Sequence, residues 1–265
     1  MFDFHSNKDV YFNIQYKTSK EYIIPFIEKI SPIKKDFKVL EIGCAEAGVL
    51  KAFTDLKIKS FGIELSPTRT QLATQYLSDE VEAGLISFLS KDIYDVDIEN
   101  DIGHKFDLII LKDVIEHIHD QKRVLNRLSD YLEPDGKIFF AFPPWQMPFG
   151  GHQQICKSKI LMYMPYFHLL PMKVYASILK IFGEKPSNIE ALKEIKETGI
   201  SIERFEKILK EESYTIIAKQ LFLINPIYKY KFGLKEVNQA SFIAKIPILR
   251  NFVSTCAYYF VEKHD

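Results

Sequence analysis

Residues 39–50 read VLEIGCAEAGVL. An apolar run from Val39 to Ile42 stops at Gly43, and small residues follow at 45, 47 and 48 before a second apolar stretch begins. A strand that ends in such a turn and passes directly into a helix lets the backbone approach a ligand closely. It also leaves the first N–H groups of the helix free for a carboxylate or phosphate. Taken alone, Gly43-x-Ala45-x-x-Gly48 also fits a degraded dinucleotide fingerprint, and one such pattern is weak. What surrounds it has to decide.

Outward from this turn, short apolar runs alternate with amphipathic stretches. Strands are expected at Lys38–Ile42, Lys59–Glu64, Leu85–Leu89, Phe106–Leu111 and Lys137–Phe142. Helices are expected at Gly48–Leu56, from Ser66 with Pro67 at its first position, and after Asp120 with Val124, Leu125, Leu128 and Leu132 facing inward. Fully apolar strands such as FDLIIL argue for a parallel sheet covered on both faces, hence a doubly wound α/β unit. Upstream, Thr18 and Glu21 form a capping box for a helix over Thr18–Ile30. Beyond Pro143 the rhythm changes. A loop, PPWQMPFGGHQQ, leads into an aromatic stretch, followed by helices over Asn188–Glu197 and Ser201–Glu212. Strands follow at Tyr214–Ile224 and Cys256–Glu262, with a long loop, Asn225–Arg250, between them. The expected organisation is one domain: an N-terminal flap and helix (1–37), a cofactor-binding core (38–144), a lid or acceptor insertion (145–200), and a C-terminal helix and strand pair (201–265).

Composition narrows the function. The chain has 265 residues, 35 basic and 35 acidic, so bulk nucleic-acid binding is disfavoured. Residues 1–150 carry 18 basic and 24 acidic side chains, and residues 151–265 carry 17 and 11. The second half therefore suits an anionic acceptor or a membrane surface, although solvated helix faces are the simpler explanation. Cys44, Cys156 and Cys256 have no metal-type or redox-type spacing, which fits a reducing, cytoplasmic setting. The charged N-terminus is unlike a signal peptide. The most apolar stretch, Ile160–Phe182, is broken by prolines, lysines and a histidine, so it reads as a lid or an interfacial, peripheral helix rather than a span.

Carboxylates stand at three successive strand ends: Glu41 inside the first motif, before Gly43, Glu64 ending the second strand, and Asp92 after the third. A pyrophosphate would be repelled by Glu41, whereas a cationic aminoalkyl sulfonium would not. Glu64 can accept two ribose hydroxyls and Asp92 an adenine amino proton. With no basic phosphate ligand in view, the set suits a cofactor that carries adenosine and a positive sulfur.

At these residues the chain resembles the class I S-adenosylmethionine-dependent methyltransferases, over roughly Lys38 to Pro144. The matching segments are LEIGCAEAG, GIELS, KDIYD, FDLIILKDVIEHIHD and LSDYLEPDGKIFFAFPP. Ala45 and Ala47 depart from the pattern, standing where family members often have glycine. The resemblance implies a Rossmann-like sheet of seven strands, mostly parallel, with the last antiparallel, and S-adenosyl-L-methionine as cofactor. It implies that Glu41, Gly43, Cys44, Ala45 and Gly48 line the methionine end, Glu64 and Leu65 the ribose, and Asp92 and Ile93 the adenine. Lys112, Asp113 and His117 would lie beside the sulfonium.

Methyl transfer is an in-line displacement aided by alignment, and a hydroxyl acceptor also needs a base. His152, in GGHQ after the fifth strand, is the candidate base. Hydrogen bonding to its own loop backbone is an equally simple role. No metal is assigned: His117 and His119 in EHIHD have a conceivable ligand spacing, but His117 more simply borders the cofactor. Tyr11 and Tyr16 are candidates for a flap over the cofactor, and Trp145, Tyr163, Tyr166 and Phe167 for an apolar acceptor pocket. The expected reaction is methyl transfer to a small molecule or a glycan or lipid intermediate, at oxygen. Three other readings stay open. They are a nicotinamide oxidoreductase, which lacks a Tyr-x-x-x-Lys pair after strand four, a non-catalytic cofactor- or partner-binding module, and a tRNA or protein methyltransferase.

Overall fold

The structure, a computed structural model, describes residues 7–264. Residues 1–6 lie outside it, and with them most of the charged N-terminus and the start of the expected flap. The sheet is built from β1 (Lys38–Ile42), β2 (Lys59–Ile63), β3 (Ile86–Leu89), β4 (Phe106–Lys112), β5 (Leu132–Phe142), β6 (Tyr214–Ile224), β7 (Val237–Asn238) and β8 (Cys256–Lys263). Their spatial order is 3-2-1-4-5-8-6-7. Pairings from β3 across to β5 are parallel, and β8 runs antiparallel to both β5 and β6. The expected doubly wound sheet with an antiparallel last strand is therefore present. It carries one more strand than expected, because the two-residue β7 pairs with the edge of β6.

The sheet buries both faces, as its apolar strands require. One face packs Leu40, Ile42, Ile109, Leu111 and Phe140 against α4 (Gln121–Tyr131) and α7 (Ile202–Glu211). The other packs Val39, Leu108, Ile110 and Phe139 against α2 (Gly48–Asp55) and the N-terminal helices. The remaining labelled helices are α1 (Lys8–Thr18), α3 (Pro67–Tyr76), α5 (Met172–Ile181), α6 (Pro186–Thr198) and α8 (Tyr228–Phe232). Asp120 and Ser201 cap α4 and α7 as the sequence indicates, accepting from the N–H groups of Arg123 and Arg204.

The N-terminal helix differs from expectation. Thr18 is not a cap: its backbone is helical and its hydroxyl donates back to the Ile14 carbonyl at 2.7 Å. Asn7 caps instead, and α1 continues through a π turn at Ser19–Ile23 into Ile24–Glu28. The wider turn carries the helix up to Pro25, which has no N–H to donate. β5 begins at Leu132, ahead of the expected start at Lys137, and takes in Pro134–Gly136, where the register against β4 shifts. Segment 225–250, expected as loop, holds α8, β7 and a short helix at Ser241–Ala244. Residues 156–192 form a separate small cluster of Cys156, Leu161, Phe167, Tyr175, Leu179 and Leu192. Among the described residues no helix is long and apolar enough to cross a membrane.

Candidate active site

The strand order reverses between β1 and β4, and open α/β sheets take ligands beyond the carboxyl ends at such a point. A cavity of about 70 Å³ lies there. Its lining includes Glu41, Gly43, Cys44, Ala45, Gly48, Lys112 and Asp113, together with Tyr11, Phe12 and Gln15 of α1. Seven of the residues assigned from the sequence to the cofactor are thus brought together, along with the flap candidate Tyr11. The volume is far below the ~300 Å³ of an ordinary small-molecule site, because α1 lies across it. Gly48 allows that approach: a Cβ there would stand 2.4 Å from the Phe12 carbonyl oxygen.

The turn after β1 is held from β2. The N–H groups of Gly43 and Cys44 donate to the Ile63 carbonyl at 2.8 and 3.2 Å. Ala45 and Ala47 have left-handed backbones, φ 49° and 63°, which glycine would adopt without the steric cost. Glu64 sits outside the cavity lining but grips the turn: Ala45 N–H donates to Oε2 and Ser66 N–H to Oε1, each at 3.0 Å. Each carboxylate oxygen keeps a second lone pair for a ribose hydroxyl.

Charge in the cavity is arranged around Lys112. Burial works against its ammonium, but Asp113 and Tyr11 raise its pKa above the ordinary value. Asp113, ion-paired with it, is disfavoured by burial, yet Lys112 holds its carboxyl below the usual range. Asp113 has φ 56°, a left-handed conformation that Asp tolerates better than most residues, and its N–H donates to the Ala141 carbonyl of β5. Burial pushes the Glu41 carboxyl well up, and its Oε2 has no hydrogen-bond partner. Burial likewise raises the Cys44 thiol.

The predicted adenine side is looser. Leu65 is 68 % exposed. Asp92 accepts from the N–H of Tyr94 within its own loop, and Ile93 is buried with its carbonyl taken by Tyr131. None of these three lines the cavity. His117 and His152 form a second cluster with Glu116, their rings 5.0 Å apart and nearly perpendicular. Burial lowers the His117 pKa. His152 has φ 51° and follows Gly151, where a Cβ would meet the His168 side chain at 2.2 Å. His119 lies apart, 3.7 Å from Glu194. The aromatic candidates separate too. Phe167 enters the small cluster, Trp145 packs edge-on against His168, and Tyr163 and Tyr166 are exposed.

The sequence reading passed over Phe12, Gln15, Glu46, Arg69 and Glu116. Glu46 is buried and paired with Lys8 at 2.7 Å and Arg69 at 3.9 Å. Its place in the AEAG turn was the available signal, but its partners come from α1 and α3. Glu116 was visible only as the neighbour of His117.

A family profile described as a methyltransferase domain matches residues 15–159. Among curated proteins, the chain is similar to a malonyl-[acyl-carrier protein] O-methyltransferase of Ilyobacter polytropus. Identity is 30 % over 112 residues, covering 41 % of this chain and 38 % of that protein. It is also similar to a ubiquinone biosynthesis O-methyltransferase of Nitrobacter winogradskyi, 27 % identical and covering 38 % and 36 %. The chain thus spans less than two fifths of the length of these curated relatives. Among solved structures, it is similar to a S-adenosylmethionine-dependent methyltransferase of Clostridium acetobutylicum. The TM-score is 0.57 and identity 13 %, covering 94 % of this chain and 92 % of that one. The plantazolicin methyltransferase BpumL, in complex with a pentazolic analog and SAH, gives a TM-score of 0.56 at 12 % identity, covering 99 % and 88 %. At such identities these two likenesses concern the fold.

Proposed function

Because the chain belongs to the methyltransferase domain family, we propose that it transfers a methyl group from S-adenosyl-L-methionine to an oxygen of a small-molecule or glycan- or lipid-type acceptor. The observation that carries this reading is the turn after β1, with the buried, unpartnered Glu41 oxygen on one side and the Glu64 carboxylate on the other. When bound, S-adenosylmethionine supplies an electrophilic methyl on a positively charged sulfur. Glu41 takes the amino group of its methionine part, and the N-terminus of α2 takes the carboxylate. Gly43, Cys44, Ala45 and Gly48 shape this end. Glu64 and Leu65 hold the ribose, and Asp92 and Ile93 face the adenine. Lys112, Asp113 and His117 border the sulfur side. Their near-neutral sum keeps the ion-paired lysine from repelling a cation.

α1, in the N-terminal segment, covers the cofactor and moves to admit it. Segment 145–200 covers the acceptor and keeps water from the methyl. His152 on that segment acts on the acceptor hydroxyl, as its base when no cation is bound. The curated relatives named O-methyltransferases support oxygen as the acceptor atom.

Calorimetric titration with S-adenosylmethionine and with S-adenosylhomocysteine tests the cofactor half of this reading. Micromolar binding is expected, weakened tenfold or more in Glu64→Gln. Glutamine is the better substitution. Alanine would strand both the Ala45 and the Ser66 N–H group, at about 1–3 kcal/mol each, whereas glutamine strands one of them, so the melting temperature is measured alongside the affinity. Folded protein that binds neither ligand would remove the proposal.

A further inference from the structure

We propose that Glu116, His117 and His152 form a binding site for one divalent first-row transition-metal ion, of the Zn²⁺ class, next to the cofactor cavity. The site itself rests on geometry. What the ion does there rests on the methyl-transfer reading above.

Glu116 lies on the short turn Ile115–His117 after β4, at 5 % exposure, and neither of its carboxylate oxygens has a hydrogen-bond partner. A buried carboxylate without donors is costly and is normally paired or bound to a metal. The two imidazoles stand beside it. One ligand atom from each of the three residues falls within 4.8 Å of the others. Around a tetrahedral ion with bonds of about 2.0–2.2 Å, such atoms sit roughly 3.4 Å apart. Side-chain rotation of about an ångström therefore closes the set.

The donor set selects the ion. Two imidazoles and one carboxylate suit zinc and its neighbours, whereas magnesium prefers an octahedron of oxygens. Three protein ligands are the number found at catalytic zinc sites, which keep a position for water or substrate. An ion held here lowers the pKa of an acceptor hydroxyl. The hydroxyl proton leaves to solvent and the oxygen lone pair forms the new O–CH₃ bond. The S–CH₃ bonding pair stays on sulfur, so each turnover releases one proton. In this state His152 is a ligand rather than a base.

The test is titration of chelator-stripped full-length protein with Co²⁺, followed by visible absorption. SAH binding is measured by calorimetry on the same samples. One equivalent of Co²⁺ should give ligand-field bands, displaced by Zn²⁺ and not by Mg²⁺. Glu116→Gln and His152→Asn should each weaken Co²⁺ binding at least tenfold while SAH binding persists. Asparagine is chosen because it tolerates the left-handed backbone at 152. If Glu116→Gln does not fold, His152→Asn, at a half-buried loop position, decides. No Co²⁺ spectrum in the parent protein, or a spectrum unchanged in the folded variants, overturns the site. Loss of SAH binding by the parent protein would instead count against the cofactor reading and leave the metal result standing.

Discussion

Lys112 and Asp113 are adjacent in sequence and paired in space at the end of β4. The lysine side chain is buried and the aspartate side chain is 33 % exposed. Lys112→Met would leave Asp113 without its partner. Breaking a buried pair costs about 3–5 kcal/mol, and the partial exposure of Asp113 places this case at the low end. A drop in melting temperature of several degrees is expected, largely recovered in Lys112→Met/Asp113→Asn, since asparagine is neutral and tolerates the left-handed backbone at 113. An unchanged melting temperature in the single variant would refute the pairing. At this scale the sequence was informative where a side chain serves its own strand end. Glu41 and Glu64 could be picked out because Glu41 interrupts an apolar run and Glu64 ends one. Gln15 and Arg69 could not, since α1 and α3 bring them to the site from outside the strand rhythm, and the partners that Glu46 pairs with, Lys8 and Arg69, come from the same two helices. Asp92 shows the converse: its strand-end position was correct, but its carboxylate caps its own loop.

Elements depend on which neighbour satisfies them. Thr18 and Glu21 form a good local capping signal, yet Thr18 is buried in the middle of a longer helix because Asn7 supplies an earlier cap. Segment 145–200 is fastened in a way no periodicity reveals. His168 is buried with its Nε2 2.8 Å from the Trp145 carbonyl oxygen, and Lys196 donates to the His168 carbonyl. Burial lowers the His168 pKa from 6.5 to about 4. A histidine kept neutral by the fold contributes stability in full above pH 6.5, and that contribution is lost as pH falls towards 4. The difference corresponds to about 3 kcal/mol. Trp145 is the sole tryptophan of the chain and packs against His168, so its fluorescence reports the segment directly. Its emission should shift to the red between pH 6.5 and 4, and the step should disappear in His168→Gln. A flat profile over that range in the parent protein would contradict the assignment.

For the molecule as a whole, the sequence was legible as far as Phe142, because each strand there pairs in parallel with another of the first five. Beyond it, the strands Tyr214–Ile224 and Cys256–Glu262 were recognisable, but β7 was not, since two exposed residues carry no pattern. Strand order was no easier to read from composition. β8 follows β6 and β7 in the chain but lies between β5 and β6. It carries Tyr258, Tyr259 and Phe260, all fully buried.

That insertion dictates an order of events during folding. Until β8 arrives, β6 and β7 have no seat, and β5 presents an unpaired apolar edge. Contacts so distant in sequence form late. Pulsed hydrogen exchange during refolding should therefore show amides of β1 to β4 protected before those of β6. Simultaneous protection would argue against the sequence of steps. While the gap stays open, the corresponding strand of a second, half-folded copy has the right shape and polarity to fill it. Crowded nascent chains would thus be prone to exchange strands, and dilution or slowed synthesis should raise the yield of monomer.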